Sequence, residues 1–541
     1  MSDTTKATLG WRPEEDNVIH SLQLHARQNP NRIALAMHGG ETRTYGELAD
    51  RSSRLANALI ARGLAKRDRV ALWSDTRIEY MEVYLACAQA GFVVVPVNAR
   101  FKGREAAAIL ADSGARALFY SKSYGAHVQT ALTGSDVSCL VCLDEVDSFE
   151  GESFTAMING AEPHSRIDAG GSDLFILGYT SGTSGTPKGA MLTHESVRNL
   201  GQTNALACRY ALGSIQVFGL SISFSSTVPA HILPHIYVGG TTVMLPVWDT
   251  GRVIEAVEDH AANFLILPSP VIIEFANEVN RAPERVQSLV SVLHSASKAP
   301  REHLRELCRS LGERVIEGWG MTENSGGLLT ATTAQDVVSN ISAVSETVGR
   351  PVPDTEIKLI DESGSRLPHD GKTIGHLVAA SRSLAIGYWG LEEATNASFQ
   401  GGWYLTGDMG TIDRDGFVRI LDRRTDMINS GGMNIYPNEV EQVLRSLPGV
   451  QEAVVVPLPH AKWGQSPVAY IVGAGHPPEQ DMLDHCSREL AGYKRPLWIR
   501  VLDEMPRNAG GKIVRRKLIY RAIQETMASM APYTRCPESD G

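Results

Sequence analysis

Residues 179–189 read Tyr-Thr-Ser-Gly-Thr-Ser-Gly-Thr-Pro-Lys-Gly, between a strand-like stretch, 173–178, and a helix-like stretch that begins at His194. Glycines let the backbone turn tightly so that N–H groups converge, hydroxyl groups add donors, and Lys188 adds a positive charge. These groups suit a polyphosphate, so the segment predicts a phosphate-binding loop. It is not a Walker A loop, because Gly189 follows Lys188 where that motif has Ser or Thr.

Helix-like and strand-like stretches alternate on both sides of this loop. Helical spacing of apolar residues followed by a short β-branched or apolar run occurs at 44–73, 79–97, 106–119, 253–267 and 301–316. Such alternation is typical of parallel strands with helices on both faces. The sequence therefore predicts an α/β fold.

Length and composition narrow the class of protein. The chain has 541 residues, a formal net charge of −10 and seven cysteines. This length predicts at least two hydrophobic cores, and the odd, sparse cysteines indicate reduced thiols. The negative charge gives no general attraction to nucleic acid or anionic lipid. Without a signal-like start or an uninterrupted apolar span, a cytoplasmic protein that binds neither nucleic acid nor membrane is expected.

The pattern changes after about Trp403. Short Gly- and Asp-rich segments precede a new unit with a helix-like stretch at 438–446, strand-like runs at 453–456 and 468–472, and a helix-like stretch at 479–493. The new unit has enough residues for a small α+β domain. We predict a large N-terminal domain of several helix-covered sheets, residues 1–424, and a mobile C-terminal domain, residues 425–541.

The loop at 179–189 resembles the signature of the adenylate-forming (ANL) superfamily, which contains acyl- and aryl-CoA synthetases, peptide-synthetase adenylation domains and luciferases. Further motifs of that superfamily follow in order, at 317–323, 403–408, 420–428, 431–437 and 506–513. The resemblance implies ATP, Mg²⁺ and CoA as cofactors and co-substrates. The implied reaction is acid + ATP + CoA to acyl-CoA + AMP + pyrophosphate, through an acyl-adenylate.

The resemblance also implies which residues bind the nucleotide. Thr322 would contact the α-phosphate, Glu323 would hold Mg²⁺, and Asp408 would accept hydrogen bonds from the ribose hydroxyls. The remaining ATP- or AMP-binding candidates contact phosphates, adenine or ribose: Thr180, Ser181, Gly182, Thr183, Lys188, Ser295, Gly318, Trp319, Gly320 and Arg423.

In the C-terminal domain, Lys512 resembles the lysine of the superfamily that neutralises charge where the carboxylate meets the α-phosphate. Removal of one such electrostatic contact typically lowers a rate ~10²–10³-fold. The resemblance makes Thr425 the hinge, where relatives usually have Asp or Lys. It also places Gly431, Gly432 and Met433 beside the CoA arm.

The identity of the acid is less constrained. The resemblance assigns four residues to the substrate pocket: Phe224, Ser225, Ser297 and Lys298. Amino-acid-activating relatives have Asp where this chain has Ser225, and an ammonium group buried without a carboxylate loses several kcal/mol, which disfavours α-amino acids. Lys298 would favour a second carboxylate or a hydroxylated acid if it faced the pocket; the alternative is a solvent-facing side chain.

We expect a carboxylic acid:CoA ligase acting on an aryl, cyclic or medium-chain acid. The alternatives are an adenylation enzyme that loads a separate carrier protein, a luciferase-like oxygenase and a non-catalytic nucleotide-binding scaffold. A homodimer is compatible with the sequence. Two other patterns, Cys139 with Cys142 and His231 with His235, are interpreted as core positions and not as metal or redox sites.

Overall fold

Two large sheets with helices between and outside them build most of the molecule. The computed structural model describes residues 17–145, 151–164, 166–180, 187–295, 299–340, 345–423, 426–430, 433–460, 463–490, 492–508 and 511–530. Strands and helices are numbered in chain order.

Within these residues the first sheet has nine strands: β1 (Ile33–Met37), β2 (Thr42–Thr44), β10 (Ile215–Phe218), β11 (Thr241–Met244), β12 (Phe264–Leu267), β13 (Ser291–His294), β14 (Val315–Gly320), β15 (Leu328–Ala331) and β16 (Arg350–Pro351). Their spatial order is β16-β15-β14-β13-β12-β10-β11-β1-β2. The pairs from β14 through to β1 are parallel, as the alternating pattern predicted.

The described part of the second sheet has seven strands: β3 (Arg69–Trp73), β4 (Val93–Pro96), β5 (Ala115–Tyr120), β6 (Cys139–Cys142), β7 (Glu152–Ser153), β8 (Leu174–Thr180) and β9 (Lys188–Thr193). Their order is β7-β6-β5-β3-β4-β8-β9. Only the last pair, β8 with β9, is antiparallel among the described pairs.

Helices cover both faces of these sheets. Their bounds are α1 (Ile19–Gln28), α2 (Tyr45–Ala61), α3 (Ile78–Ala90), α4 (Gly103–Ser113), α5 (Gly125–Leu132), α6 (Phe154–Asn159), α7 (His194–Ala207), α8 (Leu233–Tyr237), α9 (Thr250–Asp259), α10 (Ile272–Arg281), α11 (Arg301–Leu311), α12 (Ala334–Ser339) and α13 (Glu392–Ser398). Buried side chains of α1–α3, α7 and α8 fill the space between the two sheets. Helices α9–α11 cover the outer face of the first sheet, and α4 and α5 cover that of the second.

The C-terminal part has its own sheet, with strands β22 (Ile428–Ser430), β23 (Met433–Ile435), β24 (Glu452–His460), β25 (Gly464–Val472) and β26 (Ile499–Val501). Three helices accompany it: α14 (Pro437–Arg445), α15 (Glu479–Glu489) and α16 (Arg515–Met530). Apolar side chains of α14 and α15 pack on one face of the sheet, and those of α16 pack on the other. The predicted small α+β domain is confirmed, although α16 was not predicted.

Five further strands occur along the chain between β16 and β22: β17 (Thr355–Ile360), β18 (Gly375–Ser381), β19 (Phe399–Gln400), β20 (Trp403–Ile412) and β21 (Val418–Arg423). The chain divides into two compact units. The first comprises Met1–Lys358, Val378–Leu405 and Arg414–Val418; the second comprises Leu359–Leu377, Thr406–Asp413 and Arg419–Gly541. The predicted hinge, Thr425, lies outside the described residues. No helix in the described ranges is both long and apolar enough to cross a membrane.

Candidate active site

The predicted phosphate loop is the connection of a β-hairpin. Strands β8 and β9 pair antiparallel, and Thr180 faces Lys188 across the ladder. Ser181, Gly182 and Thr183 lie between these strands, outside the described residues. The helix that the sequence indicated from His194 is confirmed as α7 (His194–Ala207). Strand β9 (Lys188–Thr193) was not predicted, and because it precedes α7, the ends of the loop are fixed by strand pairing and not by a helix terminus.

Tyr179 fixes the start of this loop. Its hydroxyl donates to Asp112 Oδ2 over 2.5 Å, and Asp112 lies in α4. A Cβ atom added at Gly189 would lie 3.2 Å from Tyr179 Cζ, so the glycine lets the tyrosine ring lie against β9. The contact with Asp112 could not be predicted, because the two residues lie 67 positions apart in the chain.

Thr322 and Glu323 form a short 3₁₀ turn after β14. In that strand Gly318 and Gly320 are required by close packing: a Cβ atom would lie 2.6 Å from Leu328 Cδ2 at the first and 2.0 Å from a backbone oxygen at the second. The space left by both glycines is therefore filled by β15 and the turn before it. Trp319, between them, is buried.

A segment at 385–389 brings Glu323 close to the phosphate-loop lysine. Its backbone pairs with β9, and Ala385 N–H donates to the Glu323 carbonyl over 2.7 Å. The Tyr388 hydroxyl donates to Glu323 Oε1 over 2.9 Å. Lys188 Nζ lies 5.2 Å from the centre of the same tyrosine ring. One buried tyrosine thus contacts both the predicted metal ligand and the predicted phosphate-binding lysine.

The electrostatics of this cluster suit a cation between anionic oxygens. Burial, followed by the charge of Glu323, raises the pKa of Tyr388 well above its usual range, so its hydroxyl keeps its proton and donates. Within the described residues Glu323 Oε2 accepts no hydrogen bond. A half-buried carboxylate with one oxygen oriented in this way matches the hard oxygen donors that Mg²⁺ prefers.

Thr322 lies against β8. A Cβ atom added at Gly178 would lie 2.9 Å from Thr322 Cγ2 and 3.7 Å from Ser225 Cβ. Gly178 therefore allows the predicted α-phosphate ligand and the predicted acyl-pocket residue to approach the same strand, immediately before the phosphate loop.

The predicted acyl gate, Phe224, is half-buried in the loop after β10, and the Arg100 guanidinium lies 5.6 Å from the centre of its ring. The neighbouring Ser223 hydroxyl accepts a hydrogen bond from Ala99 N–H over 2.9 Å. This loop is thus held by the turn that follows β4. The other two pocket candidates, Ser297 and Lys298, lie outside the described residues.

A buried series of hydrogen-bonded side chains that the sequence did not predict links the end of β13, the middle of β14 and the segment just after β12. His294 and Glu317 face each other across β13 and β14, with Nδ1 2.5 Å from Glu317 Oε2. His294 Nε2 lies 2.7 Å from the hydroxyl of Ser269, just beyond β12. Burial raises the pKa of Glu317, and His294 opposes the rise. These hydrogen bonds fix the end of β13, which Ser295 follows, and the part of β14 that precedes Gly318.

In the second unit, Asp408 is buried within β20. Its N–H donates to the Thr406 hydroxyl over 3.1 Å, and that hydroxyl donates to the Leu377 carbonyl over 2.7 Å. These bonds fix the backbone that carries the predicted ribose ligand. Arg423 is the last residue of β21, and its side chain lies outside the described part of the structure.

Lys512 is presented by a closed turn. Asn508 N–H donates to the Lys512 carbonyl over 2.8 Å, and Lys512 N–H donates to Asn508 Oδ1 over 2.9 Å. Gly511 has φ +79°, which favours glycine at this position. The lysine side chain is exposed. Of the predicted CoA-binding residues, Met433 begins β23 and is exposed, whereas Gly431 and Gly432 lie outside the described residues.

The two patterns interpreted as core positions are buried. Cys139 and Cys142 begin and end β6, and burial raises the pKa of Cys139 to about 11. His235 is buried within α8 and His231 is buried just before it, and burial lowers the pKa of His231 to about 4. An unreactive core position fits all four.

Comparisons with known proteins agree with this geometry. A family model described as AMP-binding enzyme matches residues 22–389, and one described as AMP-binding enzyme C-terminal domain matches residues 439–512. The chain is 33% identical to a feruloyl-CoA synthase from an Amycolatopsis species, over 91% of this chain and 96% of the relative. It is 30% identical to a fatty acid–[acyl-carrier-protein] ligase from Streptomyces coeruleorubidus, over 94% and 96%.

Solved structures of o-succinylbenzoate CoA synthetase from Bacillus subtilis are also similar. Its complex with the acyl-adenylate intermediate has a TM-score of 0.82 and 29% identity, covering 92% of this chain and 97% of that chain. Its complex with ATP and a magnesium ion has a TM-score of 0.81 and 29% identity, covering 92% and 98%.

Proposed function

This chain belongs to the AMP-binding enzyme family and is an AMP-forming acid–thiol ligase, and we propose how its own residues divide the reaction. It uses ATP, Mg²⁺ and CoA to convert a carboxylic acid through an acyl-adenylate into an acyl-CoA. The contact of Tyr388 with both Glu323 and Lys188 is the observation that carries the assignment of residues.

In the first step a carboxylate oxygen of the acid forms a bond to the α-phosphorus of ATP, and the bond from that phosphorus to the pyrophosphate oxygen breaks. Lys188 binds phosphate oxygens and Thr322 orients the α-phosphate. Glu323, held by Tyr388, would hold Mg²⁺, which would neutralise phosphate charge when bound. Lys512 offsets the repulsion between the two anions. Positioning and charge neutralisation carry this type of transfer, so no covalent enzyme intermediate is needed.

In the second step the CoA thiolate attacks the acyl carbon, the carbon–oxygen bond to AMP breaks, and the thiol proton passes to solvent. We assign this step to the segment with Gly431, Gly432 and Met433. The domain of residues 425–541 would turn about Thr425 relative to residues 1–424, and so exchange Lys512 for this segment. The superfamily resemblance supports this assignment.

The remaining nucleotide contacts follow the same resemblance. We assign the binding of adenine and ribose to Ser295, Gly318, Trp319, Gly320, Asp408 and Arg423. Besides Lys188 and Thr322, we assign the binding of phosphates to Thr180, Ser181, Gly182 and Thr183. The cytoplasmic location, the absence of nucleic-acid binding and a homodimer stay predictions from the sequence.

We propose an aryl, cyclic or medium-chain acid as substrate, bound beside Phe224, Ser225, Ser297 and Lys298. A panel of ferulate, o-succinylbenzoate, octanoate and phenylalanine tests this class, with pyrophosphate release and loss of free CoA thiol measured separately. Phenylalanine should be rejected, because Ser225 has no charge to pair with an ammonium group. Pyrophosphate release without thiol loss would favour the carrier-protein alternative, which the acyl-carrier-protein ligase among the relatives keeps open.

The role of Lys512 has its own test. Lys512→Ala should lower pyrophosphate release ~10²–10³-fold, because the lysine stabilises charge only where carboxylate and phosphate meet. Thioester formation from supplied acyl-adenylate should be spared. Lys517→Ala, at an exposed lysine five residues further along, is the matched control. Equal loss of both steps in Lys512→Ala would contradict the assignment.

A further inference from the structure

An ion cluster around the buried Glu441, in the second unit, contains a half-buried arginine three residues after Lys512. Arg515 begins α16. Its Nη2 lies 2.7 Å from Glu441 Oε1, and its Nη1 donates to the Val455 carbonyl over 2.6 Å. Its Nε lies 3.4 Å from Asp426 Oδ2. One guanidinium group therefore contacts a helix, a strand and the segment that follows the predicted hinge.

Acidic residues occur on both sides of that hinge. Asp422 precedes residues 424–425 and Asp426 follows them. Asp422 is buried and its Oδ2 accepts from the N–H of Asn438, at the start of α14, over 2.9 Å. Burial lowers the pKa of Arg515, but the carboxylates of Glu441, Asp422 and Asp426 outweigh it and raise the pKa above its ordinary value.

Glu441 is ionised in this cluster. Burial raises its pKa, and the larger opposing effect of Arg515, Arg445 and the N–H of Val455 leaves the pKa below its usual value. A buried ion pair is costly to break, because removal of one partner leaves the other charge without compensation. The planar guanidinium group also holds its partners in a fixed geometry that an ammonium group does not impose. The cluster is therefore a rigid connection.

We propose that Arg515 is a positioning residue for adenylate formation, which fixes the Lys512 turn to Asp426, immediately after the predicted hinge. The link is short in the chain, because only Ile513 and Val514 separate Lys512 from Arg515. A change in backbone direction at the hinge then reaches the lysine through the guanidinium group. This inference rests on the proposed role of Lys512 and adds a residue that does not touch the substrate.

Arg445 provides a matched control within the same cluster. Its Nη2 lies 3.0 Å from Glu441 Oε2 and donates to the Ala453 carbonyl over 2.8 Å. It thus resembles Arg515 in pairing with the same carboxylate and with a carbonyl of the same strand, β24. Its described contacts include neither residues 422–426 nor the Lys512 turn. Removal of the Arg445 guanidinium group therefore measures the effect of weakening the ion cluster while the contact between Arg515 and Asp426 is kept.

The experiment compares Arg515→Gln with Arg445→Gln, using the acid of the panel with the highest turnover. Pyrophosphate release, thioester formation from supplied acyl-adenylate and the melting temperature are measured for both. Both variants should melt at lower temperature. Arg515→Gln should lower pyrophosphate release on the order of 10²-fold, the typical effect of a misplaced reacting group, and lower thioester formation much less. Arg445→Gln should leave the ratio of the two rates unchanged.

The same ratio in both variants would overturn the inference, as would equal loss of both steps in Arg515→Gln. Should Arg515→Gln fail to fold, Arg515→Lys and Arg445→Lys replace the pair. Lysine keeps a cation beside Glu441 but lacks the planar, forked set of donors of a guanidinium group. Lys512→Ala separates the two proposals. If that variant keeps adenylate formation, the proposed role of Lys512 fails; if it loses adenylate formation while the arginine variants behave alike, only the role of Arg515 fails.

Discussion

Tyr388→Phe should weaken the binding of Mg²⁺ without removing Glu323, the residue proposed to hold the ion. The variant keeps the ring that Lys188 Nζ approaches to 5.2 Å and loses only the hydroxyl, which donates to Glu323 Oε1 over 2.9 Å. A hydrogen bond to a charged acceptor contributes about 1.5–3 kcal/mol. Since 1.4 kcal/mol is a factor of ten, the concentration of Mg²⁺ for half-maximal pyrophosphate release should rise roughly 10- to 100-fold.

The assay is pyrophosphate release at saturating ATP and acid over a Mg²⁺ titration. Tyr404→Phe is the control, because it removes a hydroxyl that lies 3.2 Å from that of Tyr388. A bond between two neutral hydroxyl groups contributes only about 0.5–1.5 kcal/mol, so its shift should be smaller. An unchanged Mg²⁺ dependence in Tyr388→Phe, or an equal shift in both variants, would refute the assignment of Glu323 as a metal ligand held by Tyr388.

Two further predictions concern packing and acid stability. Gly178→Ala should slow pyrophosphate release about 10-fold or more, because its Cβ would lie 2.9 Å from Thr322 Cγ2 and displace that side chain; Gly125→Ala, with no atom within 4 Å of its Cβ, should not. Burial lowers the pKa of three histidines: that of His194 to about 3, that of His231 to about 4 and that of His235 to about 3. Between these values and about pH 6.5 only the unfolded chain binds the protons, so stability falls as pH falls, by about 3–4 kcal/mol from pH 6 to pH 5. Urea unfolding at the two pH values should show this loss, and His194→Asn should reduce it by about a third; an undiminished loss would count against the histidines as its cause.

The alternation of helices and strands was predictable because apolar residues repeat with the period of the element that buries them. Strand β9 was missed because Lys188–Thr193 is short and has no regular apolar alternation. Helix α16 was missed because its first three residues are basic, so its apolar residues, Leu518, Ile519, Ala522 and Ile523, begin only at the fourth position of the helix.

Site residues could be proposed from the sequence where one short segment carries a motif, as at Thr322, Glu323 and Lys512, and their roles stay predictions. The residues that hold those groups were not predictable. Tyr388 lies 65 positions from Glu323, the carboxylate that it bonds. Contacts of this kind depend on how strands are ordered in a sheet, which a single sequence does not state.

The packing of β14 against β15 also limits how the enzyme can be redesigned. At Gly318 and Gly320 even a methyl group would overlap with atoms of the neighbouring backbone or of Leu328. Mutant libraries aimed at a new acid or nucleotide would therefore lose most members varied there to misfolding. Diversity placed at Phe224 and Arg100, which are joined only through side chains, leaves the β-sheet framework intact.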